Sequence, residues 1–168
     1  MSEVPEFETA KEAYIYVLNE VKGCCPELES KIATDPEYSF RYAGEILKGR
    51  FPEGEAAIAQ NVVLAYYYAK KILKGRFPEG EAVIATHPDY SCLYAIEVIK
   101  GRWPEGEEAI LKHGQFNFVA RYTLLLHRDL NTQINNIRNE VHEKTKELIM
   151  DINSLRIEVD LLRGWVSK

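Results

Sequence analysis

One phrase recurs at a fixed distance in this chain and sets what it can fold into. It reads Ile46-Leu-Lys-Gly-Arg-Phe-Pro-Glu-Gly-Glu55, then Ile72-Leu-Lys-Gly-Arg-Phe-Pro-Glu-Gly-Glu81, then Val98-Ile-Lys-Gly-Arg-Trp-Pro-Glu-Gly-Glu107. The copies are centred on Gly49, Gly75 and Gly101, 26 residues apart, and one step back lies Gly23 in Lys22-Gly-Cys-Cys-Pro. A fixed period of this length is the mark of a stacked repeat array.

Each unit divides in two. Tyr38, Tyr42 and Ile46, with Ala43 and Leu47, follow the three-and-four spacing of a helix with one buried stripe. Asp35-Pro36 predicts its start, an acid cap followed by proline in the first turn. Gly49 predicts its stop, because glycine adopts the left-handed conformation that closes helices. Pro52-Glu-Gly-Glu-Ala-Ala-Ile then predicts a second, shorter helix with acids near its positive end. A helix of two turns does not persist alone in water, so the pair must be held by neighbouring copies.

Matched positions support stacking. Tyr16, Tyr42, Tyr68 and Tyr94 form one ladder, Ile32, Ile58, Ile84 and Ile110 a second, and Pro26, Pro52, Pro78 and Pro104 a third. The first copy is degenerate, with Cys24-Cys25 in place of Arg-Phe. A fifth copy decays after Phe116: Tyr122 falls out of register and His127 stands where glycine would. Degenerate end copies are expected of an array that must be capped against solvent.

The repeated phrase and its tyrosine-rich lead-in resemble short helix-pair repeats of bacteriophage-encoded proteins, and the architecture is similar to solenoids of the leucine-rich-repeat-variant type. The resemblance covers roughly residues 10–128. It implies a viral origin and an interaction role, with a host or viral protein as partner, and brings no catalytic motif.

From Leu130 the character changes, with no proline to the end and Gly164 the one late glycine. With Thr145, Ile152, Val159 and Val166 as a positions of a heptad, Ile134, Val141, Leu148, Leu155 and Leu162 become d positions. β-Branched residues at a with leucine at d favour a parallel two-stranded coiled coil. Asp151 and Glu158 at g then face Arg156 and Arg163 at e of the partner, which suits a parallel, in-register homodimer. The other reading of this stretch is an amphipathic helix folded back along the repeats.

The expected fold is therefore all-α: a short α-solenoid of helix-pair repeats over residues 1–128, followed by a long coiled-coil dimerisation helix over 129–168. Candidate partner-binding residues are the cations of the recurring rim, Lys48, Arg50, Lys74, Arg76, Lys100 and Arg102. To these we add Tyr66 and Tyr67, because exposed tyrosine favours interfaces. The rim also suggests nucleic-acid binding, with Phe51, Phe77 and Trp103 stacking on bases. Against that stand a net charge of −5 and Glu53/Glu55 and their copies within reach of the arginines. The aromatics equally suit plugs between helices.

No ligand spacing for a metal, phosphate-cradling glycine loop or nucleophile motif is present, so neither enzyme activity nor a cofactor is expected. His87 and His113 share the repeat position of Asp35 and Asn61, which points to helix capping. Three cysteines, two of them adjacent, suggest no disulfide framework. The polar start Met1-Ser-Glu-Val-Pro-Glu and the absence of a membrane-length apolar run lead us to expect a cytoplasmic protein, in the host cytoplasm if viral. The functional expectation is non-catalytic protein binding by a dimer, with binding and inhibition of a host defence protein implied by the resemblance. A virion or assembly component is the remaining alternative.

Overall fold

A computed structural model of the chain describes residues 4–166 and is all-α, with no strand among the described residues. The helices are α1 (Ala10–Tyr16), α2 (Pro26–Ile32), α3 (Pro36–Arg41), α4 (Pro52–Ile58), α5 (Val62–Tyr67), α6 (Pro78–Ile84), α7 (Pro88–Tyr94), α8 (Pro104–His113) and α9 (Phe116–Val166). Within each copy the two helices pack together, α1 on α2 through α7 on α8. Between copies, α1, α3, α5 and α7 stack as one layer and α2, α4 and α6 as the other. The chain divides into two compact units, residues 1–126 and 127–168.

The ladders form the core of the first unit. Ile32, Ile58, Ile84 and Ile110 are fully buried, as are Tyr42, Tyr68 and Tyr94, whereas Tyr16 at the end of the row is half-buried. Phe51, Phe77 and Trp103 are buried too, each packed on the tyrosine nine residues before it at ring-centroid distances of 4.9–5.1 Å. They plug the space between the helices of a pair.

These plugs explain one glycine of the repeat. A Cβ on Gly54, Gly80 or Gly106 would lie 2.5 Å from the ring of Phe51, Phe77 or Trp103, inside van der Waals contact. The glycine in Pro-Glu-Gly-Glu is thus the seat of the aromatic residue three positions earlier.

The other glycine corrects the expectation about how the first helix ends. Each first helix continues past its α-helical part into π-helical turns, Val17–Val21, Tyr42–Leu47, Tyr68–Leu73 and Ala95–Ile99, whose hydrogen bonds span one residue more. The residue that then turns left-handed is not Gly49, Gly75 or Gly101 but the lysine before it. Lys22, Lys48, Lys74 and Lys100 have φ of 56°, 52°, 53° and 60°, and among the described residues no glycine has positive φ. In the later three copies the glycine N–H closes the helix by donating to Ala43, Ala69 or Ala95 at 3.0–3.3 Å.

The starts vary. Thr9 and Glu12 make a reciprocal capping box on α1. Asp35 accepts from the N–H groups of Glu37 and Tyr38, and Asn61 from those of Val63 and Leu64. His87 occupies the same cap position on α7 but its side chain makes no capping bond, and Nδ1 is buried without a partner. His113 is the last residue of α8, which runs three residues further than α6 does from its proline.

That extension also corrects the reading of Tyr122. The residue is fully buried, and its hydroxyl makes the bonds that Tyr68 and Tyr94 make, shifted by two positions. The fifth copy's first helix is therefore present, as the opening of α9. Between Gln115 and Gly164 no proline or glycine interrupts it, so the helix runs on from Phe116 to Val166 instead of starting near residue 129. Every residue from Leu130 to Arg163 is exposed, the predicted seam from Ile134 to Leu162 included.

Candidate functional site

The recurring rim is built from a four-part node that joins each copy to the next. Arg50 donates from Nε and Nη2 to the two carboxylate oxygens of Glu55, at 2.7 and 2.8 Å. The Tyr68 hydroxyl donates to Glu55 Oε1 at 3.0 Å and accepts from the Phe51 backbone N–H at 2.8 Å. Arg76, Glu81, Tyr94 and Phe77 repeat the arrangement, and Arg102, Glu107, Tyr122 and Trp103 repeat it again.

The first copy keeps the node without its cation. Cys25 N–H donates to the Tyr42 hydroxyl, which donates to Glu29, and the Cys24 thiol stands where the guanidinium would. The tyrosine, carboxylate and backbone amide are thus the constant parts, and the arginine is an addition to them.

Electrostatics follow from this geometry. The two hydrogen bonds from Arg50, with help from Tyr68 and against burial, hold the Glu55 carboxyl below its ordinary range, and Glu81 and Glu107 behave alike. Burial, reinforced by the carboxylate, pushes the Tyr68 and Tyr94 hydroxyls up and that of Tyr122 to about 12. These phenols remain protonated donors throughout the physiological range.

The predicted site residues therefore separate. The side chains of Arg50, Arg76 and Arg102 are 54–64% exposed, yet their guanidiniums are engaged by the carboxylates of their own copy. Lys48, Lys74 and Lys100 are exposed, and, with Lys22, they have no ionic or hydrogen-bond partner for the ammonium group among the described residues. Each is held in a left-handed conformation that glycine adopts at far lower cost. Tyr66 is buried, its hydroxyl bonded to Glu97 and accepting from Lys70, which also pairs with Glu97. Tyr67 is half-buried with the Lys71 ammonium 4.8 Å from its ring centroid.

The pairing of the arginines with Glu55 and its copies is as the sequence suggested, whereas the bond from the next copy's tyrosine to the same carboxylate was not foreseen. The signal was available: Glu29, Glu55 and Glu81 each precede a ladder tyrosine by 13 residues, and Glu107 precedes Tyr122 by 15.

The tail seam is open. Ile134, Val141, Leu148, Ile152, Leu155, Val159 and Leu162 are 44–66% exposed. Thr145 is exposed as well and donates its hydroxyl to the Val141 carbonyl at 2.8 Å. The side chain of Val166 lies outside the described residues. Asp151 and Arg156 have no partner among the described residues, and Arg163 lies 3.9 Å from Asp160 of its own helix.

The described residues contain no group of His, Cys, Asp or Glu arranged to hold a metal, and no helix long and apolar enough to cross a membrane. Cys24, Cys25 and Cys92 are free, and burial pushes the Cys92 thiol up to about 11. No family model matches this sequence, and comparison with curated proteins and with solved structures gives no match either.

Proposed function

We propose that this chain is a non-catalytic protein-binding repeat protein, made a parallel homodimer by α9, that holds an acidic surface of its partner along the lysine row. The observation that carries the reading is the conformation of Lys48, Lys74 and Lys100, with Lys22 extending the row. A left-handed lysine costs roughly 1 kcal/mol or more relative to glycine. A cation is kept there in each of the first four copies, unpaired, and in three of them beside an arginine already engaged. The helix dipole favours a cation at that end by about 0.3–1 kcal/mol, at most an offset to the conformational cost.

The arginines belong to the scaffold in this reading, and the lysines to the contact. The acidic balance of the chain and the exposed Glu53, Glu79 and Glu105 favour a protein partner over a nucleic acid. Two rims on one dimer gain avidity when both engage. A host defence protein, the target implied by the resemblance to phage repeats, would need to present a matching acidic face.

The test is affinity capture with the full chain, the triple Lys48→Gly, Lys74→Gly, Lys100→Gly variant, and a variant with a charge in the tail seam. A protein retained by the native chain, lost with the triple variant and weakened by the seam variant is the expected result. Equal retention by all three would overturn the lysine row. Retention of duplex DNA or RNA at low salt in place of a protein would overturn the partner class.

A further inference from the structure

The junctions between copies are not equivalent, and the odd one carries a groove. Where copy one meets copy two, the Tyr14 hydroxyl donates to Glu45 at 2.7 Å and the Tyr14 and Tyr38 rings lie 5.5 Å apart. Where copy three meets copy four, Tyr66 bonds Glu97 and lies 5.6 Å from Tyr90. In the middle junction the matching residues are Phe40, Lys71 and Leu64. The hydroxyl is gone, its carboxylate acceptor has become a cation, and the second ring has become an aliphatic side chain.

A further substitution lies at the same place. Val63 is 37% exposed, at the position held by Glu37 in copy two and Asp89 in copy four. Phe40, Val63 and Leu64 together line a surface groove of about 740 Å³ between α3 and α5. Its remaining lining includes Asp35, Glu37, Glu45 and Arg41, three acids against one base. Arg41 is already bonded to Glu37 at 2.8 Å, and the Glu45 carboxylate has the Tyr14 hydroxyl as its partner.

We infer that this groove is a docking site for a segment of a partner protein that places an arginine or lysine next to a large apolar side chain. The apolar side chain fills the space left over Phe40 and Leu64, and the cation meets the acidic wall at Glu45 and Glu37. The site is separate from the lysine row, which selects acidic surfaces, so either can stand without the other.

The experiment uses the isotope-labelled full chain and two blocked tripeptides, acetyl-Leu-Arg-Phe-amide and acetyl-Leu-Glu-Phe-amide, followed by amide and methyl NMR shifts up to millimolar concentration. The basic peptide is expected to give saturable shifts at Phe40, Val63, Leu64 and Glu45, with the acidic peptide at least tenfold weaker. The control copies the other junctions into the middle one, as Val63→Asp with Leu64→Tyr. These residues already work at the same positions elsewhere in the array, and the variant should keep its native spectrum and lose the response. Absence of shifts with the basic peptide, equal response to both peptides, shifts spread over all junctions, or a response that survives in the control would each overturn the site.

Discussion

The Tyr68 hydroxyl lies 2.8 Å from the backbone nitrogen of Phe51, 17 residues earlier in the chain. Phe51 stands at the N-cap of α4, where no side chain caps the helix, and its own N–H is buried. The tyrosine of the next copy thus accepts a bond that its own copy cannot supply. Removing that acceptor leaves a buried donor unmet, at roughly 1–3 kcal/mol. Tyr94→Phe should therefore lower the free energy of unfolding in urea by that amount, whereas Tyr67→Phe, outside the node, should change it by under about half a kcal/mol.

The two glycines of the repeat should respond oppositely to the same change. Gly80→Ala sets a Cβ 2.5 Å from the Phe77 ring and 2.9 Å from Ala65 Cβ, and should destabilise by about 1–3 kcal/mol. Gly75→Ala meets its nearest neighbour, the Leu73 carbonyl oxygen, at 3.8 Å with no positive φ, and should be close to neutral. Lys74→Gly relieves a left-handed lysine at about 1 kcal/mol or more and gives back part of this in unfolded-chain entropy, for a net gain of about 0.5 kcal/mol. Denaturant midpoints of the three variants check all of these.

Acid should weaken the array through its nodes. The carboxyls of Glu55, Glu81 and Glu107 are depressed in the folded state, chiefly by their arginines. The unfolded chain binds protons first, near the ordinary glutamate value of about 4.3. The stabilisation is complete above that value and is lost as pH falls through the depressed folded values. Unfolding followed from pH 7 to 3 should show this loss, and Arg76→Gln should make it shallower.

The tail predicts an association state. The native chain should sediment at twice 19.3 kDa at micromolar concentration, and Leu155→Glu should return it to 19.3 kDa. Ile152→Cys with Cys24→Ser should cross-link within the dimer under mild oxidation, because a positions face each other in a parallel, in-register pair. A Leu155→Glu variant of unchanged mass would remove the seam from the account.

The helix pair and its ladders were legible because each copy spells the same pattern. A fully buried Ile58 or Tyr68 recurs one period away as Ile84 or Tyr94, and period is what sequence displays best. The left-handed residue was placed one position late because glycine is the usual occupant, and the π-helical turn before it shifts the cap onto lysine. Tyr122 was missed because a longer α8 moves the fifth copy by two residues, which a strict period cannot show. The rim read as one row of cations with Glu53/Glu55 and their copies within reach of its arginines. Its division into engaged arginines and unpaired lysines depends on Glu55 and its copies reaching back five residues, a matter of side-chain geometry.

Amide hydrogen exchange read at three positions tests most directly whether each copy is locked to the next through the tyrosine node. The N–H groups of Phe51, Phe77 and Trp103 should be strongly protected, and Tyr94→Phe should release Phe77 by tenfold or more while leaving a folded chain. Exchange of these amides at the rate of an open loop, or equal protection of Phe77 with and without the Tyr94 hydroxyl, would contradict it.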